Sequence, residues 1–135
     1  MATSTLKTKF IRQRIIFPVS QQGVYETYMD SKKHSKFTGA KASISRKVGG
    51  EFQVYDGYAS GKLLELVPNK RIVHTWRATD WPKGHFSKIT ITFSKKRKGT
   101  ELSFYQSYVP VRLHKSVKLG WHEHYWDKMR AFLKK

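Results

Sequence analysis

The sequence has no cysteine, which removes disulfide staples, thiolate metal sites and thiol nucleophiles together. That lack suits an intracellular, cytoplasmic protein. Acidic residues are scarce too: 9 Asp+Glu stand against 27 Lys+Arg, a formal net charge of +18. The carboxylates are scattered among turns and strand ends, so no pair offers the flanking acid and base of glycosidic chemistry. No apolar run approaches the roughly 18 residues that span a bilayer. The opening "MATSTLKTKF" lacks the apolar centre of a secretion signal, so no membrane contact is expected and the chain reads as the whole mature protein. A Walker loop, a G-x-G-x-x-G turn and a G-x-S-x-G elbow are all missing, which leaves nucleotide cofactors and serine-hydrolase chemistry without a foothold.

What is present is enough apolar surface for one core. With 39% hydrophobic and 14% aromatic residues over 135 positions, the chain is expected to form a single domain, residues 1–135, behind a flexible tail at 1–6. No repeat, low-complexity tract or Pro/Gly-rich linker divides it. Residues 7–17, "KTKFIRQRIIF", place Ile11, Ile15 and Phe17 on one parity and predict a strand that Pro18 ends. Ser20 is a suitable N-cap for a short helix in which Val24 meets Tyr28 and Tyr25 meets Met29 at i,i+4; Asp30 or Ser31 can cap a second, through His34 to Thr38.

From residue 42 to 109 the pattern becomes short strands: "ASISRKV", "EFQVYDG", "YASGKLLELV", "RIVHTWRAT", "FSKITITF" and "ELSFYQSYV". They are divided by Gly49-Gly50, Gly57 or Gly61, Pro68-Asn69, a turn around Trp81, and Gly99. Short connections imply an antiparallel meander, because parallel strands need long crossovers. Ile72, His74 and Trp76 share one face with Val73 and Thr75 opposite, and Ile89, Ile91 and Phe93 oppose Lys88, Thr90 and Thr92. After residue 112, Leu113, Val117, Trp121, Tyr125, Met129 and Phe132 recur in steps of four and three, a stripe on a helix of roughly six turns reaching Lys134. The expected fold is α+β: a strand, two short helices, a six-stranded antiparallel meander and a long C-terminal helix packed on the curved sheet, the helix-grip arrangement.

Histidine is plentiful, yet "HEH" at 122–124 puts His122 and His124 about 200° apart on a helix, so they cannot share an ion and no metal site is assigned. Lys95-Lys96-Arg97-Lys98 reads as a solvated hairpin tip. Many lysines beside Tyr55, Tyr58, Tyr105 and Tyr108 fit single-stranded nucleic acid loosely; rings alternating along strands are more often core, which makes this the third choice. Trp81-Pro82-Lys83-Gly84-His85 raises a sharper question, since Gly84 and Pro82 already meet the needs of a turn. The indole either folds back as a plug over the end of the sheet or stands as a binding hot spot with Pro82, Lys83 and His85 around it.

"VGGEF" at 48–52, "ASGKLLELVPNKRIVHTWR" at 59–77, "WPKGHFSKITITF" at 81–93, "GTEL" at 99–102 and "GWHEHYW" at 120–126 resemble the family named for activators of the 90-kDa heat-shock protein ATPase, within the START-like superfamily. The likeness is to the C-terminal domain of its two-domain eukaryotic co-chaperones. It implies a START-like fold, also seen in the birch-pollen allergen, and a cytoplasmic, non-enzymatic, monomeric binder of that chaperone that stimulates its ATPase. It tilts the Trp81 turn toward partner contact. Relatives in the superfamily hold a small hydrophobic ligand between helix and sheet, so a carrier or sensor of such a ligand is the alternative. Phe52, Trp76, Phe93, Phe104, Trp121 and Tyr125 would line or fill that space, and their bulk argues for a filled core.

Overall fold

Strand β1, Thr8–Phe17, alternates exposed and buried side chains and carries Ile11, Ile15 and Phe17 into the core. The computed structural model describes residues 7–133; the tail expected at 1–6 and the helix end expected at Lys134 lie outside them. Ser20 caps α1, Gln21–Met29, by accepting from the Gly23 N–H, and Asp30 caps α2, Ser31–Thr38, by accepting from the N–H groups of Lys32 and Lys33. Two caps ten positions apart let the chain turn sharply while burying Val24, Tyr25, Tyr28 and Met29.

The meander follows as β2 Ser43–Ile44, β3 Glu51–Val54, β4 Ala59–Val67, β5 Arg71–Ala78, β6 Ser87–Lys96 and β7 Gly99–Pro110. All neighbours are antiparallel, and β1 closes the sheet beside β7 to give the order β1-β7-β6-β5-β4-β3-β2. Of the strand expected over residues 42–48 only Ser43–Ile44 is extended, and two further boundaries differ from the sequence reading. β6 and β7 continue to the pair Lys96↔Gly99, so only Arg97 and Lys98 form the tip; the charge run looked like loop, but solvated strand ends tolerate lysine on both faces. Of the two glycines offered as a turn between β3 and β4, Gly57 turns, at φ 90°, while Gly61 lies within β4, where a Cβ would sit 1.8 Å from the Thr75 carbonyl oxygen.

After a single turn at Val111–Leu113, α3, His114–Trp121, and α4, Asp127–Leu133, run as one helix through a π-helical turn at His122–Trp126. The predicted stripe is correct: Trp121, Tyr125 and Met129 are buried, with Leu113, Val117 and Phe132 packed against the core. Trp126 was absent from it yet is almost fully buried, because the wider turn brings it round to stack on Trp121 at 5.6 Å. The three helices cover one face of the sheet, and Phe52, Phe93 and Phe104 fill the space between, each contributing roughly 1.5–3 kcal/mol. Among the described residues no helix is long and apolar enough to cross a membrane.

Candidate functional site

Between the C-terminal helix, β5 and two turns of the meander lies a cleft of about 430 Å³. Its three walls are the β3–β4 turn with Tyr55 and Tyr58, the β5–β6 turn with Trp81, and the helix with Val117, Gly120, Trp121, His124 and Tyr125; Trp76 of β5 forms the floor.

The first wall is built under strain. Tyr55, Asp56 and Gly57 have successive φ of 51°, 57° and 90°, a left-handed run that non-glycine residues avoid. Asp56 holds it by accepting from the Lys41 N–H at 2.9 Å and donating its own N–H to the Lys41 carbonyl. The Tyr55 hydroxyl then donates to the His124 carbonyl at 2.6 Å, inside the π turn, and burial raises its pKa to about 12.

The second wall settles where the indole of the turn goes. Trp81 is 4% exposed and meets Trp76 edge-on at 5.4 Å, so it is the plug of the two alternatives. Arg77 fastens the turn from behind, donating to the carbonyls of Trp81 at 2.6 Å and Pro82 at 3.1 Å. The His85 Nε2–H donates to the Tyr108 carbonyl, while Pro82 is half-buried and Lys83 exposed. The side chain of Trp81 therefore faces inward, packed on a second indole. The exposed aromatic here is Phe86, at 45%, which the sequence reading passed over as part of a strand.

Behind the floor, two glutamines at inward positions satisfy two indoles. Trp121 donates to Gln106 Oε1 at 2.8 Å, and Gln106 passes the chain on through Ser87 to the Trp76 carbonyl; Trp126 donates to Gln13 Oε1 at 2.6 Å. Trp76 is different: its Nε1–H is buried and has no partner among the described residues. Polar residues at core parity were the signal in the sequence for this network, and Gln13 and Gln106 both carry it. Of the six predicted lining residues, Trp76, Trp121 and Tyr125 reach the cleft; Phe52, Phe93 and Phe104 are core.

Deeper still lie two matched pairs. His74 Nδ1–H donates to the Thr75 carbonyl at 2.7 Å, so its Nε2 accepts from the Tyr28 hydroxyl at 2.9 Å. His34 Nδ1–H donates to the Tyr28 carbonyl at 2.8 Å, and its Nε2 accepts from Tyr125 at 3.0 Å. Burial drives both imidazole pKa values down to about 4, against the opposing pull of those carbonyls, and drives the Tyr28 and Tyr125 hydroxyls well above the usual phenol range. Both histidines are fully buried, neutral and outside the cleft walls. His122 and His124 are exposed on the helix, and no cluster that could hold a metal ion occurs among the described residues.

A family model described as Activator of Hsp90 ATPase homolog 1-like protein matches residues 18–134. The Activator of 90 kDa heat shock protein ATPase homolog 1 of Homo sapiens is 34% identical over 114 residues, covering 84% of this chain and 34% of its own. The homologue from Dictyostelium discoideum is 30% identical over 124 residues, covering 91% and 32%. The chain thus spans about a third of the length of the curated relatives it matches. Among solved structures, an HSP90 activator from Plasmodium falciparum superposes with a TM-score of 0.84 at 22% identity, covering 94% of this chain and 96% of its own. A protein from Chromobacterium violaceum gives 0.79 at 24%, covering 93% and 97%. At these identities the structures establish a shared fold.

Proposed function

Since the chain belongs to the Activator of Hsp90 ATPase homolog 1-like family, we propose that it is a co-chaperone module that docks on the 90-kDa heat-shock protein and stimulates its ATPase. The observation that carries this reading is the family match, which runs over everything from α1 to the end of the long helix. The β5–β6 turn is the contact we assign: Trp81 and Arg77 make it rigid, and it presents Lys83 and Phe86 outward beside Pro82 and His85. A preformed loop loses little entropy on docking, and one exposed ring beside a cation suits a hot spot on an acidic surface. We read the domain as non-enzymatic, because its two inward imidazoles are paired, neutral and walled off from the cleft.

Titration calorimetry with the recombinant chaperone, run beside an ATPase assay, tests this. Wild type binds and raises turnover; Lys83→Glu with Phe86→Ala weakens binding at least tenfold with an unchanged melt. Absence of binding by wild type overturns the proposal.

A second reading rests on the cleft: a space of about 430 Å³ walled by aromatic rings suits a flat apolar ligand. Native mass spectrometry of the purified protein checks it, and no retained or added ligand at any concentration tried removes it.

A further inference from the structure

No described helix or loop covers the sheet face opposite the helices, and its chemistry is unlike the rest of the surface. Phe10, 55% exposed, lies against Tyr105 with ring centroids 5.4 Å apart, and the Arg12 guanidinium sits within 5.6 Å of both rings. Strand register extends this patch in rows. Arg12 pairs with Tyr105 and Tyr105 with Thr90; Arg14 pairs with Ser103, Ser103 with Thr92 and Thr92 with Arg71; Ser107 pairs with Lys88. The face therefore carries a two-ring platform, a floor of hydroxyls, and cations on both sides. Two acids beside these rows are already engaged: Glu101 with Arg14 and Lys96, Glu65 with Arg71. The objection that alternating rings are core does not apply to Phe10 and Tyr105, which take the outward parity of β1 and β7.

We propose that this face binds single-stranded nucleic acid, with bases stacked on Phe10 and Tyr105 and phosphates held by Arg12, Arg14 and Lys88. An open antiparallel sheet offers stacking to splayed bases, which a duplex keeps hidden, and the hydroxyl rows suit sugar and base edges. An acidic protein segment fits less well, because interface cores want contiguous apolar surface, and here the two rings and Ile16 on β1 and β7 are separated from the exposed Leu64 and Val67 of β4 by the threonine and lysine positions of β6. At a strand spacing of roughly 4.8 Å, the rows from β1 to β5 accommodate about two to three nucleotides. The net charge of +18 supplies the long-range attraction. The proposal is independent of the chaperone reading, whose contact lies at the β5–β6 turn.

Fluorescence anisotropy with a labelled oligouridine tests it, with a matched RNA duplex, heparin and polyglutamate as comparisons. Wild type binds the single strand more tightly than the duplex, with a salt slope of roughly −2, the value for about three phosphate contacts. Phe10→Leu and Tyr105→Leu keep apolar cover while removing the π faces; each weakens oligouridine binding about tenfold. Heparin affinity and the thermal melt stay unchanged, as does chaperone binding. The proposal fails if wild type does not bind the single strand, if the leucine variants bind it as wild type does, or if polyglutamate displaces it as effectively as unlabelled oligouridine.

Discussion

Two tryptophans of one cleft differ in a single hydrogen bond. Trp121 donates to Gln106, which is fully buried, whereas the Trp76 N–H has no partner among the described residues. Trp121→Phe strands a buried acceptor and Trp76→Phe removes an orphan donor, so urea melts should show the former costing about 1–3 kcal/mol more. Trp121→Ala also opens the core and should cost roughly 3–5 kcal/mol. Histidine sets the acid limit. Imidazoles held near 4 in the fold but near 6.5 once unfolded bind protons preferentially in the unfolded chain, so stability falls as pH drops below about 6.5 and levels off below about 4. At pH 5 His34 and His74 each remove about 2 kcal/mol relative to pH 7.5, and denaturant midpoints across that range check it. The sequence identified His74 as inward-facing by parity, but its pairing with Tyr28 joins residues 46 positions apart, which no local pattern can announce.

Strands, caps and the helical stripe were legible because each follows from a short-range rule: alternation, a Ser or Asp before an apolar turn, steps of three and four. The π turn at His122–Trp126 was not, since a widened turn leaves the i,i+4 spacing of Trp121 and Tyr125 intact and shows itself only in the extra burial of Trp126. The Trp81 turn was half legible. Its residues announced a turn and an aromatic of consequence, but the inward direction depends on Trp76 and Arg77, whose side chains converge on it from β5. Packing of β4 on β5 leaves no room at Gly61, so Gly61→Ala must push the strands apart. The expected loss is above about 3 kcal/mol, or failure to fold, measured by calorimetric melting.

At the scale of the molecule, composition foretold a field before it foretold a fold. With +18 carried on 135 residues, the association we propose with the 90-kDa chaperone should begin electrostatically. Stopped-flow on-rates should fall steeply as salt shortens the screening length from about 10 Å at 0.1 M, while off-rates change little. The meander from β2 to β7 joins only sequence neighbours, whereas β1 pairs with β7, Thr8 with Pro110 and Phe17 with Thr100. β1 therefore waits for β7, and a nascent chain holds Ile11 and Ile15 unsheltered until all the strands between the two have been made. Closing so large a loop comes late on the folding route, so mutations in β1 should accelerate unfolding with φ-values near zero, and those in the β5–β6–β7 hairpins should slow folding.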